Sequence, residues 1–193
     1  MEIEHCKINS VYGNFTLFCF NYGSHEDQNI LCFKSDKDYE VPIVRIQSAC
    51  FTAEIFRSKD CDCHEQLETS LIRIDQDGGL LIYLLQDGRG AGIFKKIKGL
   101  RLGETEGLNT AEAYDKLEIK RDPRTYAHLK AVVEYFKLEK VNLLTNNPRK
   151  VKGLEELGVN VTRIPLEIEP TEYSEAYLKT KKKELGHMFS KFI

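Results

Sequence analysis

The stretch Leu80-Leu81-Ile82-Tyr83-Leu84-Leu85 has no charged or strongly polar position for six residues, so the element it forms must be covered on both faces. Gly78-Gly79 leads into it and a Gly-rich segment follows it, which marks a buried strand. A second short run, Val141-Asn142-Leu143-Leu144, has the same character and leads to a helix predicted from Pro148 to Leu157, with Pro at the first helical position and Gly158 near its end. The first 58 residues follow a different pattern. Apolar and polar residues alternate over 14–20, 30–33 and 41–46, which predicts antiparallel strands. Helices are predicted around Leu67, Leu71 and Ile74, from Thr125 to Phe136, and from Glu172 to Leu185. The expectation is one α+β domain over residues 1–193, with a β-rich N-terminal third followed by interleaved strands and helices.

At 193 residues and 41% hydrophobic composition, the chain can bury one substantial core. Its 28 Lys plus Arg are nearly balanced by 30 Asp plus Glu, so a polyanion must be met by a local basic cluster, which argues against duplex nucleic acid as a partner. No apolar run approaches the roughly 18 residues of a membrane span, and Met1 to His5 has neither the basic nor the apolar region of a secretion signal. The reading is a soluble, cytoplasmic protein with no membrane partner. In a reducing compartment, six Cys point to metal binding or catalysis rather than disulfides. Cys6, Cys19 and Cys32 fall in alternating strands and read as core residues.

Cys50, Cys61 and Cys63 are spaced C-x10-C-x-C. On an extended segment Cys61 and Cys63 would point the same way and reach one Zn²⁺ at about 2.3 Å, with Cys50 closing from a neighbouring loop. Three ligands leave a fourth position for a water whose pKa falls toward about 7. The same residues also fit ordinary buried thiols, and His64 could complete a closed structural site.

Two loops suit phosphate. Gln86-Asp87-Gly88-Arg89-Gly90-Ala91-Gly92 permits close backbone approach, and Arg89, Lys95, Lys96 and Lys98 supply positive charge; the spacing matches neither a P-loop nor a dinucleotide fingerprint. Thr145-Asn146-Asn147-Pro148-Arg149-Lys150 places two cations at a helix N-terminus, which is unfavourable unless an anion binds there. Before the predicted helix at Thr125, Lys120-Arg121-Asp122-Pro123-Arg124 also reads as a turn and cap.

In their order and spacing, Cys50 with Cys61-Asp62-Cys63, Gln66-Leu67-Glu68, Gln86 to Gly92, Asp122-Pro123-Arg124, Leu143 to Lys150 and Gly186-His187-Met188 resemble GTP cyclohydrolase II, from about Val44 to His187. That family opens the guanine imidazole ring of GTP with zinc at the start of riboflavin synthesis, releasing pyrophosphate and formate, and acts as a homodimer of α+β subunits. The resemblance implies Zn²⁺ on Cys50, Cys61 and Cys63. It implies GTP contacts at Arg45, Gln47, Ser48, Gln66, Asp87, Gly88, Arg89, Thr110, Thr145 and Lys150, with Mg²⁺ on the triphosphate. Asp122 falls at the family's proposed proton acceptor and Arg124 at the arginine proposed to take the α-phosphoryl group. A guanidinium is a poor nucleophile, so Arg124 also fits a role confined to stabilising charge on that phosphate. A zinc hydrolase acting on another purine or pyrimidine derivative, and a non-catalytic guanine nucleotide sensor, are the alternatives.

Four departures from the family pattern bear on the chemistry. Gln47 and Ala49 stand where the family has His and Glu, and Asp87 replaces a Glu that pairs with guanine. One extra residue precedes Thr110. Leu100 aligns with the family's catalytic tyrosine and cannot donate a proton, with Tyr114 and Tyr126 as the nearby candidates to replace it.

Overall fold

The computed structural model describes residues 1–23 and 25–191. Among them seven strands form one mixed sheet in the order β1-β2-β3-β5-β4-β6-β7. The N-terminal third is a meander of β1 (Glu2–Ser10), β2 (Gly13–Asn21) and β3 (Ile30–Ser35), and β3 pairs antiparallel with β5 (Gly79–Leu84). The other half is parallel: β4 (Ile43–Ser48) lies between β5 and β6 (Lys140–Leu144), and β6 pairs with β7 (Asn160–Ile164). The antiparallel expectation therefore fails at β4. The chain leaves β4 through α1 (Phe51–Glu54) and α2 (Cys63–Asp77) before entering β5, and a crossover through a helix returns the chain parallel.

Alternation along β4 divides the core. Val44 and Ile46 join Leu80, Ile82 and Leu84 of β5 on one face, under Leu129, Val132 and Leu154 of the segments that include α5 (Lys130–Tyr135) and α6 (Pro148–Glu155). Ile43 joins Leu81 on the other face, against Leu71 and Ile74 of α2. β5 is thus covered on both sides, as its unbroken apolar run requires. Arg45 and Gln47 continue the α2 face of β4, so two buried polar side chains point toward the N-terminus of α2. Helices α3 (Ile93–Glu106), α4 (Thr110–Lys116) and α7 (Glu175–Leu185) complete the fold.

Three further expectations change. Cys32 is buried, but Cys6 is exposed and Cys19 half-buried, because β1 is an edge strand whose neighbours do not cover it. The helix predicted from Thr125 becomes a 3-10 turn, Ala127–Leu129, followed by α5. Arg149 takes the carbonyls of Asp122 (2.7 Å) and Arg124 (2.9 Å), so the backbone ahead of the turn is held by side-chain donors instead of helical amides. The last helix starts at Glu175, after a hydroxyl-capped turn in which the Thr171 amide donates to Ser174 Oγ at 3.0 Å.

Gly153 of α6 lies against Tyr126, and a Cβ there would stand 2.7 Å from Tyr126 Cβ. Gly153→Ala should destabilise the protein by about 1–3 kcal/mol through overpacking and lower the thermal midpoint by several degrees. A scanning calorimetry trace identical to the parent's would show that α6 does not rest on Tyr126.

Candidate active site

The parallel strands β5, β4 and β6 lie side by side, and the loops leaving their C-terminal ends carry the chemistry-bearing segments: Asp87 to Arg89, Ser48 to Cys50, and Thr145 to Lys150. Ligands in open α/β sheets bind outside this edge. Cys50 precedes α1, Cys63 is the first residue of α2, and Cys61 lies two residues before it. Cys61 and Cys63 therefore meet at a helix start and not on an extended segment. The three Sγ atoms lie within 4.8 Å of one another, with Cys50 and Cys61 at 3.8 Å. Hydrogen bonds from Cys61 and Cys63 and the Lys96 ammonium, 3.2 Å away, push the Cys50 thiol far below its ordinary pKa, while the hydrogen bond to Cys50, helped by burial, pushes Cys61 up to about 12. Three converging sulfurs fit a soft divalent cation such as Zn²⁺, and all three line a cavity of about 260 Å³. His64 is turned to Arg57 and Glu68 and is not part of the metal-capable group among the described residues.

Behind the cysteines runs a buried hydrogen-bond network. Arg45 donates to Gln47 Oε1 (2.7 Å), Gln66 Oε1 (2.6 Å) and the Leu144 carbonyl (3.0 Å). Gln47 Nε2 donates to Glu54 (2.7 Å) and to the Cys63 carbonyl (3.2 Å). Glu54 also accepts from Tyr83, and burial raises its pKa despite these two donors. Gln66 reaches Asp62, which pairs with Lys181 of α7 at 2.7 Å. Arg45, Gln47 and Gln66 thus support the cysteine segment, and burial lowers the Arg45 guanidinium to about 10.

Beside the cavity lies a smaller cleft of about 70 Å³. Ser48, Cys63, Arg89, Arg124 and Tyr177 line both, so the two spaces share one wall. Lys150 lies on the cleft side, donating to the Ile46 carbonyl at 2.7 Å; burial, then the charges of Arg45, Arg124 and Lys181, lower its pKa well below that of an ordinary lysine. Arg89 adopts φ 57° and its guanidinium sits 5.8 Å from the rings of Tyr114 and of Tyr177; its Nη2 is buried without a hydrogen-bond partner among the described residues. Arg124 is clamped by Asp122 through two 2.8 Å bonds and also reaches Ser48 Oγ at 3.3 Å. Burial opposes the Asp122 charge, but Arg124 and Arg149 hold its pKa below the usual carboxylate value.

The remaining candidates fall unevenly. Thr110, Asp87 and Gly88 line the cavity. Asp87 is already engaged: Lys96 pairs with it at 3.0 Å, and it accepts from the Phe51 amide (2.8 Å) and the Gly88 amide. Thr145 lines neither space, and its hydroxyl accepts from the Asn147 amide at 3.0 Å at the start of α6. Lys96 lies at the thiols, whereas Lys95 and Lys98 are exposed and line neither space. Leu100 lines the cavity, as does Tyr114, whose hydroxyl donates to the Gly88 carbonyl at 3.0 Å. Tyr126 is buried outside it. Glu54 and Tyr177 carry no signal in the sequence, each being one polar residue on an otherwise ordinary helix, and Lys181 reads only as part of the basic helix end with Lys179, Lys182 and Lys183; Gly186-His187-Met188 also marks the C-terminal segment.

A thiol triad able to hold a cation thus shares a wall with a cleft lined by five basic side chains. The chain belongs to the GTP cyclohydrolase II family, whose profile matches residues 1–165. It is 40% identical over 183 residues to GTP cyclohydrolase-2 of Campylobacter hominis, covering 94% of this chain and 92% of that one. The corresponding protein of Picrophilus torridus is 38% identical over 185 residues, covering 95% and 96%. Riboflavin biosynthesis protein RibBA of Staphylococcus epidermidis is 38% identical over 183 residues, of which this chain (94% covered) spans 46% of the length.

Because the folded pKa of Asp122 is depressed, its pairing contributes stability above about pH 4 and loses it as the pH falls through the folded value. Asp122→Asn should cost about 3 kcal/mol at pH 7 by leaving Arg124 buried without its counter-charge. Urea unfolding at pH 7 and pH 3 should show the gap to the parent protein narrowing in acid; an equal gap at both would rule out a charge-based pairing.

Proposed function

We propose that this protein hydrolytically opens the imidazole ring of GTP and releases pyrophosphate, with Zn²⁺ held by Cys50, Cys61 and Cys63 and Mg²⁺ accompanying the triphosphate. The observation that carries this reading is the shared wall: a base in the cysteine-lined cavity can extend its phosphates into the Lys150 cleft past Arg124, Arg89 and Ser48. Bound there, the zinc would supply Lewis acidity for a hydrolytic water. Arg124, already fixed by Asp122, would face the α-phosphate between ring and polyphosphate and stabilise charge as pyrophosphate leaves. A carboxylate held below its ordinary pKa is a weak base, so in this reading Asp122 first orients Arg124 and takes up a proton only when that pair loosens. Lys150 would regain its full charge on meeting phosphate. As in the family, the active form is read as a cytoplasmic homodimer in riboflavin biosynthesis; exposed Phe94 and Ile97 on α3 suit subunit contact.

Leu100 decides how far the reaction runs. With Leu100 on the cavity wall and Ala49 beside Cys50, no side chain at either family position can protonate the poor amine leaving group of the second hydrolysis. Tyr114 favours the complete reaction, since its hydroxyl lies at the same wall, but burial raises its pKa and its proton is given to Gly88. The proposal is therefore that pyrophosphate forms readily and formate slowly, so that the formylamino-pyrimidine accumulates.

Each of Cys50→Ser, Cys61→Ser and Cys63→Ser should sharply lower bound zinc from one per subunit, read by atomic emission; a fully loaded Cys61→Ser protein would contradict the three-thiol site. Incubation with GTP, Zn²⁺ and Mg²⁺ should yield pyrophosphate in excess of formate, and Leu100→Tyr should bring the two toward parity. A one-to-one yield at all times in the parent protein would sink the truncated reaction, and no pyrophosphate at all would favour a nucleotide sensor.

A further inference from the structure

The C-terminal segment does more than end the chain. Helix α7 buries Lys181, whose ammonium pairs with Asp62 and stands 4.6 Å over the Tyr177 ring; burial opposes its charge but Asp62 raises its pKa. Gly186 then takes a left-handed conformation, φ 65°, which turns the tail back across the cleft. Two anchors hold it there. The Met188 amide donates to the Asn146 carbonyl at 2.8 Å, and the Glu167 carboxylate accepts from the amides of Ser190 and Lys191, each at 2.9 Å. The strap so formed places His187 on the cleft wall, stacked against Phe189 with ring centroids 5.8 Å apart.

Five cations line that cleft, Arg45, Arg89, Arg124, Lys150 and Lys181, and no carboxylate does among the described residues. Burial first, then the charges of Lys181, Lys150, Arg124 and Arg89, hold the His187 imidazole down to about 2, so it is neutral. Arg124 and Lys181 are paired with Asp122 and Asp62, but Arg45, Arg89 and Lys150 make no ion pair among the described residues. Their gathered charge is unfavourable until an anion enters, and the unpartnered Nη2 of Arg89 is a donor available to one. Four of the residues lining this space, Tyr177, Lys181, Leu185 and His187, come from the C-terminal segment and not from the sheet edge.

We propose that this strap is a substrate-binding element: Lys181 and His187 contact the polyphosphate of the bound nucleotide and close the cleft over it. The proposal rests on the GTP reading above. Equilibrium binding of GTP and of inorganic tripolyphosphate tests it, on the full chain and on two variants, His187→Ala and Glu167→Ala, the second of which removes one of the two anchors of the tail at a residue outside the cleft lining. Both ligands should bind His187→Ala about tenfold more weakly, and Glu167→Ala more weakly in the same sense, with bound metal and thermal midpoint retained. Affinities within twofold of the parent in both variants would overturn the strap while leaving the GTP reading intact. A loss of affinity matched by loss of metal and of thermal stability would overturn the contact in favour of a purely structural tail. A parent protein that binds neither ligand would overturn the GTP reading, and the strap with it.

Discussion

The placement of β4 between β5 and β6, parallel to both, is the constraint on which the site depends. It sets three C-terminal strand ends side by side, so that Cys50, Asp87 and Lys150 converge although they are far apart in the chain. The same strand carries the core on one face and Arg45 and Gln47 on the other. One strand therefore serves as a packing surface and as the floor of the polar network.

That network explains how the chain accommodates its departures from the family pattern. Gln47, in place of an imidazole, joins Arg45 to Glu54 and to the Cys63 backbone, so a polar scaffold still fixes the start of α2. Glu54 supplies a carboxylate near the thiols that Ala49 does not. It lies behind them, bonded to Tyr83 and Gln47, and supports geometry without reaching the cavity wall. Leu100 has no such compensation at its own position.

The electrostatics of the two spaces differ. Beside the thiols Lys96 pairs with Asp87; around the adjoining cleft Lys181 pairs with Asp62 and Arg124 with Asp122, and Lys150 and His187 have lowered pKa values. Arg124 and Arg89 stand at the boundary, one neutralised by Asp122 and one between two aromatic rings. A ligand with a polar ring and an anionic tail matches that polarity along its length.

The sequence by itself determined the alternation of β1 to β3, the doubly covered β5, the Pro-led α6, and the set of thiols, glycines and cations from which the site is built. These are local properties: a period, a turn residue or a spacing expresses them without reference to distant partners. Tertiary structure alone decided that β4 runs parallel, because that depends on where the crossover through α2 returns. It also decided that Arg149 holds the backbone ahead of α5, that Thr145 accepts from the Asn147 amide ahead of α6 and lines neither space, and that α7 and the segment after it bring Lys181 and His187 to the cleft. The positions of Glu54, Tyr177 and Lys181 could not be read in advance for the same reason. A single buried polar side chain has no sequence signature, since the partners that make its burial tolerable come from elsewhere in the chain.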